Sequence, residues 1–137
     1  MKVMNGIPDL WAMETTSPFT LAAMPAHARV WVYKSATPFT DGQTAKLQQA
    51  GEAFTSTWVS HGEAVVSAFG VVDRHFVVIA ADLRDITICG GAIDGSVQFI
   101  KQMEKELGLQ LTDRMVVLYE RDGAIKSCRV PDVESLL

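Results

Sequence analysis

The chain has 137 residues, 48% of them hydrophobic and 20% charged, with a formal net charge of −4 at neutral pH. This is enough chain to bury one domain-sized core, and its composition sets aside disordered, collagenous and coiled-coil architectures. The acidic balance, without a run of Lys and Arg, gives no general attraction for nucleic acid or anionic lipid.

No segment approaches the roughly 18 apolar residues of a membrane span. The N-terminus lacks an apolar signal core, being interrupted by Asn5, Pro8, Asp9 and Glu14. The two cysteines, Cys89 and Cys128, form neither a CxxC pair nor a disulfide framework. Together these features predict free thiols in a cytoplasmic protein.

Residues 1–28 show no sustained period and carry Pro8, Pro18 and Pro25 among Leu10, Trp11, Phe19 and Leu21, which predicts an irregular arm packed on a single domain, 29–137. Val30-Trp31-Val32-Tyr33 is a β-branched and aromatic first strand. Thr40 and Gln43 have capping-box spacing and open a helix in which Leu47, Ala50, Phe54 and Trp58 form one stripe. His61-Gly62 is its predicted stop.

Ala64 to Val71 and Phe76 to Ala81 read as a hairpin of second and third strands. A loop through Asp82, Asp85, Gly90 and Gly91 leads to Asp94-Gly95-Ser96, the predicted start of a second helix that closes at Gly108. Met115 to Tyr119 is a fourth strand. Asp122-Gly123 suits a type I′ turn into a fifth, Ala124 to Val130.

This order predicts an α+β fold, a ferredoxin-like βαββαβ sandwich with an added C-terminal strand and two helices on one face of an antiparallel sheet. Its strand order would be fifth, fourth, first, third, second. A profilin-like arrangement uses the same elements. The first, third and fourth strands are apolar at both alternating sets of positions, so both sheet faces need cover. The helices cover one, leaving the other to the N-terminal arm or to a second subunit, and a homodimer through that open face is the expectation.

The same topology gathers Arg29, Trp58, His61, Asp94 and Ser96 at one end. Asp94 and Ser96 at a helix N-terminus, with Gly90, Gly91 and Gly95 keeping the backbone approachable, would suit a small anion; capping alone also accounts for Asp94. His61 is a candidate general base oriented by Asp94, with Ser96 or Cys89 as nucleophile. A histidine at a helix C-terminus is equally a favourable dipole partner, and Trp58 at helical spacing reads as core as readily as a stacking surface.

His27, His61 and His75 have no metal-ligand spacing with each other or with the cysteines, so neither metal nor cofactor is predicted. The Gly90–Ser96 stretch lacks the lysine of a P-loop. Phe76 alone is no RNP1 pattern.

Arg29-Val30-Trp31-Val32-Tyr33, Trp58-Val59-Ser60-His61-Gly62, Ile93-Asp94-Gly95-Ser96-Val97 and Asp113-Arg114-Met115, taken in order, resemble an uncharacterised family of short bacterial proteins often labelled "ABC transporter ATPase". The resemblance runs from about Pro25 to Tyr119. Such an ATPase needs a P-loop, so the label implies nothing for this chain. The family pattern has Gly-Cys-Ser-Ile-Asp where this chain has Gly90-Gly91-Ala92-Ile93-Asp94. Any thiol chemistry implied by the resemblance therefore falls to Cys89 or is lost.

Two functional readings follow. One is a noncatalytic binding or assembly module that holds a small anionic ligand at the start of the second helix. The other is a small hydrolase or transferase using His61 and Asp94 with Ser96 or Cys89.

Overall fold

A computed structural model describes residues 2–4, 21–83 and 88–136. In chain order the elements are β1 (Lys2–Met4), β2 (Arg29–Lys34), α1 (Asp41–Thr57), β3 (Val59–Ser60), β4 (Glu63–Ala64), β5 (Val66–Val72), β6 (Phe76–Asp82), α2 (Gly90–Leu107), β7 (Val116–Arg121) and β8 (Ala124–Arg129), with short 3-10 segments at Leu21–Ala23 and Val130–Leu136. Leu10, Trp11 and Phe19 of the predicted arm, and Asp85 of the predicted loop, lie outside the described residues. Among the described residues no helix is long and apolar enough to cross a membrane.

The fold is α+β with antiparallel sheets. β2, β6 and β5 form a central sheet in that order, and β1, β7 and β8 form a second. Side chains of β6 alternate between two cores. Val77, Ile79 and Ala81 meet the helices through Leu47, Trp58, Phe99, Ile100 and Met103, whereas Phe76, Val78 and Ala80 meet Val116 and Leu118 of β7 together with Leu21 and Met24. The result is three layers: helices, central sheet, second sheet.

Two expectations are corrected here. The ferredoxin-like order would hydrogen-bond β7 to β2, but β7 pairs with β1, with Val3 opposite Tyr119, and with β8. The physical reason is the apolar face of β5 and β6 formed by Ala68, Val72, Phe76 and Val78. Edge pairing would leave that face wet, whereas stacking the β7–β8 hairpin over it buries both apolar faces within one chain. The open sheet face invoked for a homodimer is therefore already occupied.

Local chemistry fixes the helices. Thr40 Oγ accepts from the Gln43 backbone N–H at 3.1 Å while Gln43 Oε1 accepts from Thr40 N–H at 2.9 Å, a complete capping box. Gln43 also donates to the Leu107 carbonyl at 3.1 Å, tying the start of α1 to the end of α2. Gly51 lets α1 approach β5, since a Cβ there would overlap the Phe69 ring. The helix stops earlier than predicted, at Thr57. Hydroxyls of Thr55, Ser56 and Thr57 bond back to preceding carbonyls in this last turn, competing with a regular helix end. His61 and Gly62, with φ of 52° and 78°, instead form the two-residue turn joining β3 to β4. Asp122 and Gly123 turn β7 into β8 with φ of 54° and 76°.

Leu118 is fully buried between the two sheets. Leu118→Ala should cost about 2–5 kcal/mol in urea unfolding. Because the face is closed within one chain, that loss should not change with protein concentration; a concentration-dependent midpoint would return the face to a second subunit.

Candidate functional site

The first site is built around the start of α2. This helix begins at Gly90, not at Asp94, and its N-cap is Cys89, whose Sγ accepts from the Ala92 backbone N–H at 3.3 Å. Asp94 is thus one turn inside the helix and exposed, and Gly90 and Gly91 are its first two residues. A neutral thiol is a weak acceptor, whereas a thiolate at a helix N-terminus is favoured by the unpaired N–H groups and the helix dipole.

The short β3–β4 hairpin supplies the rest. Ser60 is buried; its Oγ accepts from the Cys89 backbone N–H at 2.9 Å, which sets the hydroxyl beside Cys89 Sγ. That hydroxyl, followed by the backbone N–H groups of Ala92 and His61, lowers the Cys89 pKa from 9.0 to about 7. Cys89 is partly exposed, and these hydrogen-bonding groups favour its thiolate near neutral pH.

Trp58 is buried and donates through Nε1 to the Ala92 carbonyl at 2.9 Å, so it anchors the first turn of α2. It packs edge-on against Trp31 with centroids 5.6 Å apart, and the Arg29 guanidinium lies over Trp31 at 5.0 Å. Arg29, Trp58, His61, Cys89, Gly90 and Gly91 therefore share one end of the molecule.

Ser96 does not join them as a nucleophile. It is 0% exposed and donates to the Ile93 carbonyl at 2.6 Å, because it lies on the same helical stripe as Ala92, Phe99, Ile100 and Met103. The rings and carboxylates needed for acid–base work are not coupled either. Among the described residues the His61 and Asp94 side chains have no hydrogen-bonding partner, and both are exposed. Gly95 is exposed with open space where a Cβ would stand. Among the described residues no three His, Cys, Asp or Glu side chains converge to hold a metal.

A second site lies at the opposite end of β2. A groove of about 620 Å³ is lined by Val32, Tyr33 and Lys34 of β2, Val97 and Lys101 of α2, and the segment Leu111–Arg114. That segment is held in place from both sides. Glu104 accepts from Leu111 N–H at 2.8 Å and from the Thr112 hydroxyl at 3.2 Å, while Asp113 accepts from Met115 N–H at 2.9 Å and from Arg129 at 3.0 Å. These bonds, the Met115 N–H foremost, hold the Asp113 carboxyl below its usual range. Its charge is therefore committed to Arg129, leaving Lys34, Lys101 and Arg114 without an anionic partner among the described residues.

No family model, curated protein or solved structure matches this chain. Sequence reasoning passed over Ser60, although it stands inside the Trp58–Gly62 motif, and Arg114, although it stands inside Asp113-Arg114-Met115. Lys34 and Lys101 carry no local signal at all.

Alkylation of Cys89 by iodoacetamide should rise with a midpoint near the pKa of about 7, measured by mass spectrometry against Cys128 in the same chain. Ser60→Ala should move that midpoint upward, towards the roughly 8.5 of an ordinary thiol. An unchanged midpoint would remove Ser60 from this role.

Proposed function

We propose that this chain is a noncatalytic binding module of a cytoplasmic, reducing compartment, and that its anionic ligand sits in the groove beside β2. The carrying observation is the set of three cations, Lys34, Lys101 and Arg114, gathered around one groove on a chain of net charge −4. Cations from a strand, a helix and a pre-ordered segment, brought together with apolar Val97 and Leu111, suit a ligand with both negative charge and an apolar surface. The start of α2, where the sequence suggested the anion, is a poorer seat because the Cys89 sulfur already accepts from the Ala92 N–H there. Self-association through the covered sheet face has lost its ground; a homodimer would have to use another surface, such as the β2 edge.

Tripolyphosphate is a suitable probe because it is compact and carries several charges. At ten times its Kd it should raise the melting temperature by roughly 3–6 °C, and the double variant Lys101→Glu, Arg114→Glu should lose that rise. Equal shifts in both proteins would sink the groove as the anion seat.

The near-neutral thiol favours a second reading, a small transferase or hydrolase with Cys89 as nucleophile. p-Nitrophenyl acetate separates the two. The Cys89 thiolate attacks the ester carbonyl, forms a thioester and expels p-nitrophenolate. A module gives one equivalent of product and stops, whereas steady turnover that disappears in Cys89→Ser would establish the enzyme.

A further inference from the structure

Beyond the groove's charge, the neighbouring backbone is specific. β2 is an edge strand among the described residues, bonded to β6 on one side only. Ser35 N–H donates to the His75 carbonyl at 2.7 Å, continuing the β2–β6 ladder by one pair. In an antiparallel ladder hydrogen-bonded pairs alternate, so Tyr33, Trp31 and Arg29 also turn their backbone groups to β6. Val30, Val32 and Lys34 therefore turn theirs outward, and Val32 is 42% exposed. A strand edge without a partner among the described residues is a template for another strand.

Resting on the groove reading above, we infer that the ligand is an extended acidic segment of another protein, added as a strand along the open edge of β2, with its carboxylates on Lys34, Lys101 and Arg114. Strand addition supplies affinity through main-chain hydrogen bonds, and flanking side chains supply specificity. Here the flanking surface has both kinds of partner. Lys101 and Arg114 are exposed cations without an anion among the described residues, and Val97 and Leu111 offer apolar contact. A peptide alternating acidic and β-branched residues meets both. The pre-ordered Leu111–Arg114 wall lowers the entropy cost of docking.

A second copy of this chain fits less well. Antiparallel pairing of β2 with itself about a two-fold axis at Val32 would set the cationic Lys34 end of each copy beside the Arg29 end of the other, with no anionic residue lining the groove except Asp113, already bound to Arg129. Like charges brought together in this way oppose association.

The test is fluorescence anisotropy of the full chain with a labelled hexapeptide alternating Glu and Val. Saturable binding should appear, fall about tenfold with either Lys101→Glu or Arg114→Glu, and be absent for a Lys and Val peptide. N-methylation of every other peptide amide gives two isomers. One should bind at least tenfold more weakly and the other within threefold of the parent, because only one edge of an added strand faces β2. If both isomers bind like the parent, strand addition is wrong while anion binding in the groove stands. The inference also fails alone if tripolyphosphate binds the wild type but no acidic peptide does; if neither binds, the groove reading falls with it. A sedimenting dimer that the peptide does not dissociate would assign the edge to a second copy and overturn the proposal.

Discussion

β6 is buried at every one of its seven positions and hydrogen-bonded along both edges, to β2 on one side and β5 on the other. A strand in that position has two apolar faces and no polar one, so two separate covers must be found. Much else in the structure answers that demand. Phe54, Trp58, Phe99 and Ile100 bring α1 and α2 onto the Val77 and Ile79 face, with Phe54 and Phe99 stacked at 4.8 Å. Val116 and Leu118 bring the β7–β8 hairpin onto the Phe76 and Val78 face.

Using the hairpin as a lid has a consequence at the sheet edge. β7 cannot both stack over the central sheet and pair with β2, and β2 is left with one backbone edge unbonded among the described residues. The segment joining α2 to β7 must then pass beside that edge, and Glu104 and Asp113 fasten it there. The groove is thus a by-product of how the second core is closed. Its charge arises because Lys34, Lys101 and Arg114 come from three different elements that this crossing brings side by side.

Much of the element sequence was legible. The β-branched runs, the Thr40–Gln43 capping box, the Asp122-Gly123 turn and the Gly108 stop, where φ is 65°, are local signals, and local signals survive folding when nothing larger opposes them. The pairing partner of β7 was not legible, because alternating Val116 and Leu118 suit an edge partner and a stacked sheet alike. Nor was β1, three residues with no period of their own. At α2 the usual ranking of caps favoured Asp94 over Cys89, but Ser60 anchors the Cys89 backbone from another element, a tertiary contact that no helix propensity encodes. The cationic groove was invisible for the same reason: Lys34, Lys101 and Arg114 are far apart in the chain.

The chemistry of Cys89 bears on the balance between binding and catalysis. The hydrogen bonds that lower its pKa also occupy its lone pairs, and nucleophilicity falls as thiol pKa falls, with a Brønsted slope of about 0.4–0.5. Lowering the thiol pKa to about 7 therefore raises the thiolate population at pH 7 while making each anion less reactive. Thiol catalysts offset that loss with a base or an oxyanion-binding arrangement aimed at the substrate. Here the backbone N–H of Ala92 is spent on the sulfur itself, and Ser96 and Trp58 are spent on backbone carbonyls. The polar groups at this end hold the first turn of α2 in place, which is the arrangement expected of a cap, whereas the cations at the other end of β2 hold nothing among the described residues.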